Sequence, residues 1–140
     1  MRRSPGFTLL EALVGTALLA VTVGEGAVRL VDLLQSARLA GAVRTVASTL
    51  RMARGRAISG GGSIEVRFDA AGRLVELRDG AARVLETRVL PAGVALIGLP
   101  ARARIRFGGL GTAENGTVTL GAGTRAHSVV VNQRGRVRVQ

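Results

Sequence analysis

The chain has 140 residues, no Cys, and 20 basic residues that are all Arg, against 9 acids, for a formal net charge of +11. Without thiols there are no disulfides, thiolate metal sites or cysteine nucleophiles, and with Phe7, Phe68 and Phe107 as the only aromatics there is no platform for stacking bases. The positive surplus favours phosphates or anionic headgroups as non-specific partners, and any nucleic acid would be held by its backbone.

Arg2 and Arg3 precede a run from Phe7 to Gly24 in which Glu11 is the only charge. A helix rising about 1.5 Å per residue would cover roughly 27 Å over such a run, close to a bilayer core. The two arginines keep the N-terminus cytoplasmic and send the rest across once. A cleaved signal peptide is the plainer reading, but no A-x-A site closes the run and the helical pattern continues past it. A carboxylate near the centre of a membrane helix costs about 2.5–3.5 kcal/mol, less near an end, so Glu11 implies a partner. A cut between Gly6 and Phe7 would create one: the new α-amino group of a neighbour's Phe7.

The stretch Gly6-Phe7-Thr8-Leu9-Leu10-Glu11 resembles the class III leader junction of type IV pilins and type II secretion pseudopilins. The resemblance implies that a prepilin peptidase cuts after Gly6 and N-methylates Phe7, and that Glu11 serves in assembly.

Beyond Gly24, Leu30, Leu33, Leu34, Ala37, Ala40, Val43, Ala47, Leu50 and Ala57 recur at steps of three and four, which predicts an amphipathic continuation of the helix to about Ser59. Gly60-Gly61-Gly62 then ends it. The expected organisation is a leader at 1–6, a transmembrane or filament-core helix at 7–28, its amphipathic continuation at 29–59, and a periplasmic β-rich head at 60–140. Only about 80 residues remain for that head, near the lower limit for an unstapled core.

After the glycines the period changes to two. Ile64, Val66 and Phe68 alternate with Glu65 and Arg67, and "DAAG" and Asp79-Gly80 supply turns into "RLVELR" and "RVLETRVL", an antiparallel meander. After Pro91-Ala92-Gly93, further strands are expected around Ile105–Phe107, Thr117–Leu120, Ser128–Asn132 and Arg136–Val139. Arg102, Arg104 and Arg106 would share one strand face over apolar residues on the other. Arg136 and Arg138 would do the same over Val137 and Val139.

"IRFGGLGTAENGTVTL" and "HSVVVNQRGRVRVQ" resemble the C-terminal half of the GspH/FimT family of minor pseudopilins and pilins, and "LRMARGRAIS" at the helix end fits as well. That resemblance implies an α+β, pilin-like fold with the long N-terminal helix packed on antiparallel sheet. It also implies a minor pseudopilin or pilin of a type II secretion or type IV pilus system, held in the bacterial inner membrane by a single pass and assembled with other pilins into a periplasmic filament.

Nothing points to an enzyme. His127 is the sole histidine, the nine acids are dispersed, and "GGLGTAENG" lacks the Lys of a phosphate loop. No cofactor or metal is expected. Gly135-Arg136-Val137-Arg138 resembles the Gly-Arg-x-Arg motif of DNA-uptake pilins, so Arg136 and Arg138, with Arg134 in the turn, are candidate DNA contacts. A solvated strand face is the plainer reading of the same arginines, and the alternative function is DNA binding during natural transformation.

Overall fold

The computed structural model describes residues 8–140, with side-chain surroundings for 8–21 and 29–140. The leader, the expected cleavage point at Gly6 and Phe7, and Arg2 and Arg3 lie outside the described residues. The chain divides into two compact units, Met1–Leu34 and Gln35–Gln140.

Helix α1 runs Leu9–Gly60, close to the length expected. Thr8 caps it: its Oγ1 accepts the Glu11 N–H at 3.2 Å and its carbonyl accepts the Ala12 N–H at 3.1 Å. Glu11 therefore occupies the first turn, where the helix dipole favours a negative charge. The left-handed Gly61 (φ 63) ends the helix at its other end, without the strain a side chain would bring.

Among the described residues of the first unit the large apolar side chains are exposed, from Leu9 (83 %) to Leu34 (47 %). Among the described residues no helix is long and apolar enough to cross a membrane. The ends of the expected span, Phe7 and the side chains from Thr22 onward, lie outside them.

In the second unit α1 buries a stripe made of Leu39, Ala42, Val43, Val46, Ala47, Leu50, Ala53 and Ala57. This corrects the expected stripe at its start. Leu30, Leu33, Leu34 and Ala37 are exposed, and the buried stripe begins at Leu39.

Two four-stranded antiparallel sheets supply the rest of the core. The first has the order β3-β2-β1-β5, from β1 (Ile64–Asp69), β2 (Leu74–Asp79), β3 (Val84–Val89) and β5 (Arg104–Phe107). The second has the order β4-β6-β7-β8, from β4 (Ala95–Gly98), β6 (Gly116–Ala122), β7 (Arg125–Val131) and β8 (Val137–Val139). The alternation read from the sequence sets the first sheet: Ile64, Val66 and Phe68 pair across to Ile105, Phe107, Val75 and Leu77, all buried. In the second sheet Val118 lies opposite Val129, and both are buried with Leu120 and Val131. Burying one such aliphatic side chain is worth about 1.5–3 kcal/mol. All these residues join the α1 stripe in one cluster.

Three expectations change. Strand β4 was not expected. Arg102 does not share a strand face with Arg104 and Arg106, since it sits in a 3-10 turn at Ala101–Ala103 with a left-handed φ of 59. Val139 is 48 % exposed, because β8 is an edge strand and Val139 lies at its open end.

The β2–β3 turn is built on Asp79. Its Oδ1 accepts the N–H groups of Arg83 (2.9 Å) and Ala81 (3.0 Å), and its Oδ2 accepts Arg83 Nε–H at 3.0 Å. The backbone hydrogen bond from Arg83 is the main reason the carboxyl is held below its ordinary value of 3.8. A depressed pKa contributes stability above the unfolded value and loses it as pH falls through the folded one. Asp79→Asn should therefore melt below wild type at neutral pH, with a difference that closes as pH falls from about 5. Paired melts across that range check it, and a difference independent of pH would refute the role.

Candidate functional site

The Gly-Arg-x-Arg segment is held by a tight hairpin between β7 and β8. Asn132 Oδ1 accepts the N–H groups of Arg134 (3.1 Å) and Arg136 (2.9 Å). Its carbonyl accepts the Gly135 N–H at 2.8 Å, and its own N–H donates to the Arg136 carbonyl at 3.2 Å. A side chain that bonds its own turn in this way fixes the turn without help from the rest of the fold. The hairpin is then fastened to the Gly-rich loop: Ala113 N–H donates to the Gln133 carbonyl at 3.0 Å.

Helix α1 completes the arrangement. Arg54 Nε–H donates to the Gly111 carbonyl at 3.2 Å, so one side chain reaches from the helix to the loop. Gly135 is buried against this bond and has a φ of 68. A Cβ there would overlap the Gly111 carbonyl oxygen and lie 2.8 Å from Arg54 Nε. Glycine is thus required twice over at position 135, by backbone conformation and by space.

Where helix and hairpin meet lies an open groove of about 450 Å³, lined by Arg51, Arg54, Gly55 and Ile58 from α1 and by Gly135, Arg136, Val137 and Arg138. Four arginines line it and no carboxylate does. Arg134 lies around the turn, where it lines a second hollow with Asn115, Asn132, Gln133 and Arg136. The expected Arg136 and Arg138 are exposed, and Arg51 and Arg54 join them. No local pattern signals that, because the two pairs are about 80 positions apart and the helix arginines read as a polar face. Arg104 and Arg106 are otherwise engaged, with guanidinium groups 3.0 and 3.2 Å from Glu65 Oε2.

His127 lies in β7 opposite Leu120 and lines an apolar hollow with Ala40, Val43, Arg44 and Val139. Among the described residues no group of three or more His, Asp or Glu could hold a metal ion.

The family described as type II transport protein GspH matches residues 42–135. The chain belongs to the GspH family. The match spans α1 from Ala42, the strands β1 to β7 and the hairpin as far as Gly135, and β8 with Arg136 and Arg138 lies beyond it. No curated protein matches the chain in sequence. The fold of this GspH-family protein is shared by the type IV minor pilin FimU of Pseudomonas aeruginosa (TM-score 0.60, 18 % identity, 73 % of this chain and 87 % of that one). It is also shared by the minor pseudopilin EpsH of the Vibrio cholerae type 2 secretion system (TM-score 0.60, 16 % identity, 74 % of this chain and 96 % of that one). The family is one of type II transport proteins, and the likeness to FimU and EpsH shows that the chain has the fold of those two proteins.

Replacing Gly135 tests how this region is held. Gly135→Ala should destabilise the protein by at least about 2 kcal/mol, from the left-handed backbone and the overlap with Gly111. Urea unfolding of the full chain in detergent measures it, and a loss below about 0.5 kcal/mol would show that the hairpin relaxes away from the helix.

Proposed function

We propose that the protein is a filament subunit, cut by a prepilin peptidase between Gly6 and Phe7, N-methylated at Phe7, and stored in the bacterial inner membrane. From there it joins other pilins in a periplasmic filament of a type II secretion or type IV pilus system. It acts by assembly and not by catalysis. The observation that carries the reading is the contrast along α1. From Leu39 on, its apolar stripe is consumed by the head, whereas among the described residues Leu9, Leu10, Leu13, Val14, Val21, Leu30 and Leu34 stay exposed. An apolar helical surface of that length needs lipid or other helices against it. Glu11 has a place in both settings: it sits in the first turn of its own helix, where the dipole favours its charge, and it offers a counter-charge to the amine of a neighbour's Phe7.

Two variants test the reading together. Gly6→Leu should leave the leader uncut when the chain is expressed with its peptidase, because the protease needs a residue without a side chain beside the scissile bond. Glu11→Ala should insert and be cut as wild type yet be recovered poorly in sheared filaments. Normal processing of the first, or wild-type incorporation of the second, would count against the assignment.

The four arginines of the groove, with no carboxylate among its lining residues, favour a second reading in which the head also holds DNA during uptake. Each arginine on a phosphate releases about one counterion, so replacing Arg136 and Arg138 with Gln should flatten the salt dependence of binding by about two units of slope, for all sequences alike. An unchanged slope in the double variant, or no binding by wild type at low salt, would leave these arginines as solvated surface.

A further inference from the structure

The first sheet carries a charged pocket that neither reading uses. On the side of β1 and β5 away from the core, Glu65, Arg67, Arg104 and Arg106 alternate with the buried Ile64, Val66, Ile105 and Phe107. The β2–β3 turn closes one side with Asp79, Gly80 and Ala82, leaving a pocket of about 250 Å³. A water takes about 30 Å³ in the liquid, so the space suits a polyatomic ion.

The charges in this pocket do not balance. Glu65 Oε2 serves two arginines, Arg104 at 3.0 Å and Arg106 at 3.2 Å. Arg78 is held by Glu76 at 2.6 Å, and Asp79 is held by Arg83 and its own turn. Asp69, further along the same face, accepts the Ala71 N–H at 3.0 Å in the β1–β2 turn. Arg67 makes no ion pair among the described residues. Four arginines (Arg67, Arg78, Arg104 and Arg106) and two carboxylates (Glu65 and Asp79) line the pocket itself, an excess of two positive charges.

A second observation is independent of that count. Arg104 Nε is buried and has no hydrogen-bond partner, although its Nη1 bonds Glu65. A buried donor left unmade costs stability, and in a native fold it usually marks a missing water or ion. Guanidinium groups present forked donors that match a phosphate or carboxylate.

We propose that this pocket binds a small doubly charged oxyanion, of the inorganic phosphate or phosphate monoester kind, through Arg67, Arg104 and Arg106. The charge excess selects a dianion over a singly charged diester, and the enclosure by the turn selects a small ion over a polymer backbone. The site is on the opposite sheet from the groove beside β8, so it stands or falls separately from the DNA reading.

The test is a thermal melt of the full chain in nonionic detergent, titrated with sodium phosphate at neutral pH and matched in ionic strength with sodium chloride. Phosphate should give a saturable rise in Tm that chloride and dimethyl phosphate do not. Arg67→Gln, which breaks no ion pair, should weaken the apparent affinity about tenfold or more, and Arg136→Gln with Arg138→Gln should leave it unchanged. An equal effect of chloride or dimethyl phosphate would overturn the proposal, as would a full response in Arg67→Gln or its loss in the β8 double variant.

Discussion

The fold depends on one stripe of small and medium apolar side chains along α1, from Leu39 to Ala57. Two four-stranded sheets close over that stripe, and their buried residues join it in a single cluster. Alanine and valine dominate it, so the sheet side chains can come close to the helix. Phe107, Leu77, Leu120 and Ile105 supply the bulk from the other side. Close packing of this kind tolerates few voids, and it fixes which side chains of α1 remain outside. Arg51 and Arg54 are among them, and that is why they stand beside the hairpin.

The same economy is visible at the hairpin. Arg54 spends Nε on the Gly111 carbonyl, and Gly135 gives up a side chain so that loop, helix and hairpin can meet. The arginines beyond Gly135 are thereby placed against a firm support and not on a free tail. Polar residues elsewhere in the head are mostly matched locally, as with Asp79 in its turn and Arg78 with Glu76. Against that background the two unmatched features, the acid-free groove and the buried Arg104 Nε, are where function is to be sought.

Much of this was legible in the sequence where a period and a punctuation mark coincided. The alternation of Ile64, Val66 and Phe68, bounded by glycines and "DAAG", gave β1 and its neighbours, and Gly60-Gly61-Gly62 gave the end of α1. Strand β4 was not legible, because Ala95-Leu96-Ile97-Gly98 follows a Pro-Ala-Gly turn and buries only Leu96 of its apolar residues. The run "ARARIRF" alternates throughout, yet Pro100 and the left-handed Arg102 and Ala103 keep it out of the sheet until Arg104. The start of the buried stripe was misplaced because helical periodicity continues through Leu30 to Leu34 whether or not a sheet covers it. The convergence of Arg51 and Arg54 with Arg136 and Arg138 is a tertiary fact with no local signature. Thr8, by contrast, is a capping residue type standing in the sequence just before the helix, and its Oγ1 takes the Glu11 N–H.

If the exposed apolar side chains of α1 between Leu9 and Val21 face other subunits, as proposed, the contact can be measured directly, since the chain has no Cys of its own. A single Val14→Cys, in cells producing the filament with a cysteine placed in the helix of its major subunit, should form a disulfide on mild oxidation. The bond should disappear when the prepilin peptidase is absent. Recovery of the cysteine uncrosslinked from intact filaments, or of the chain outside membrane and filament fractions altogether, would contradict the assembly role.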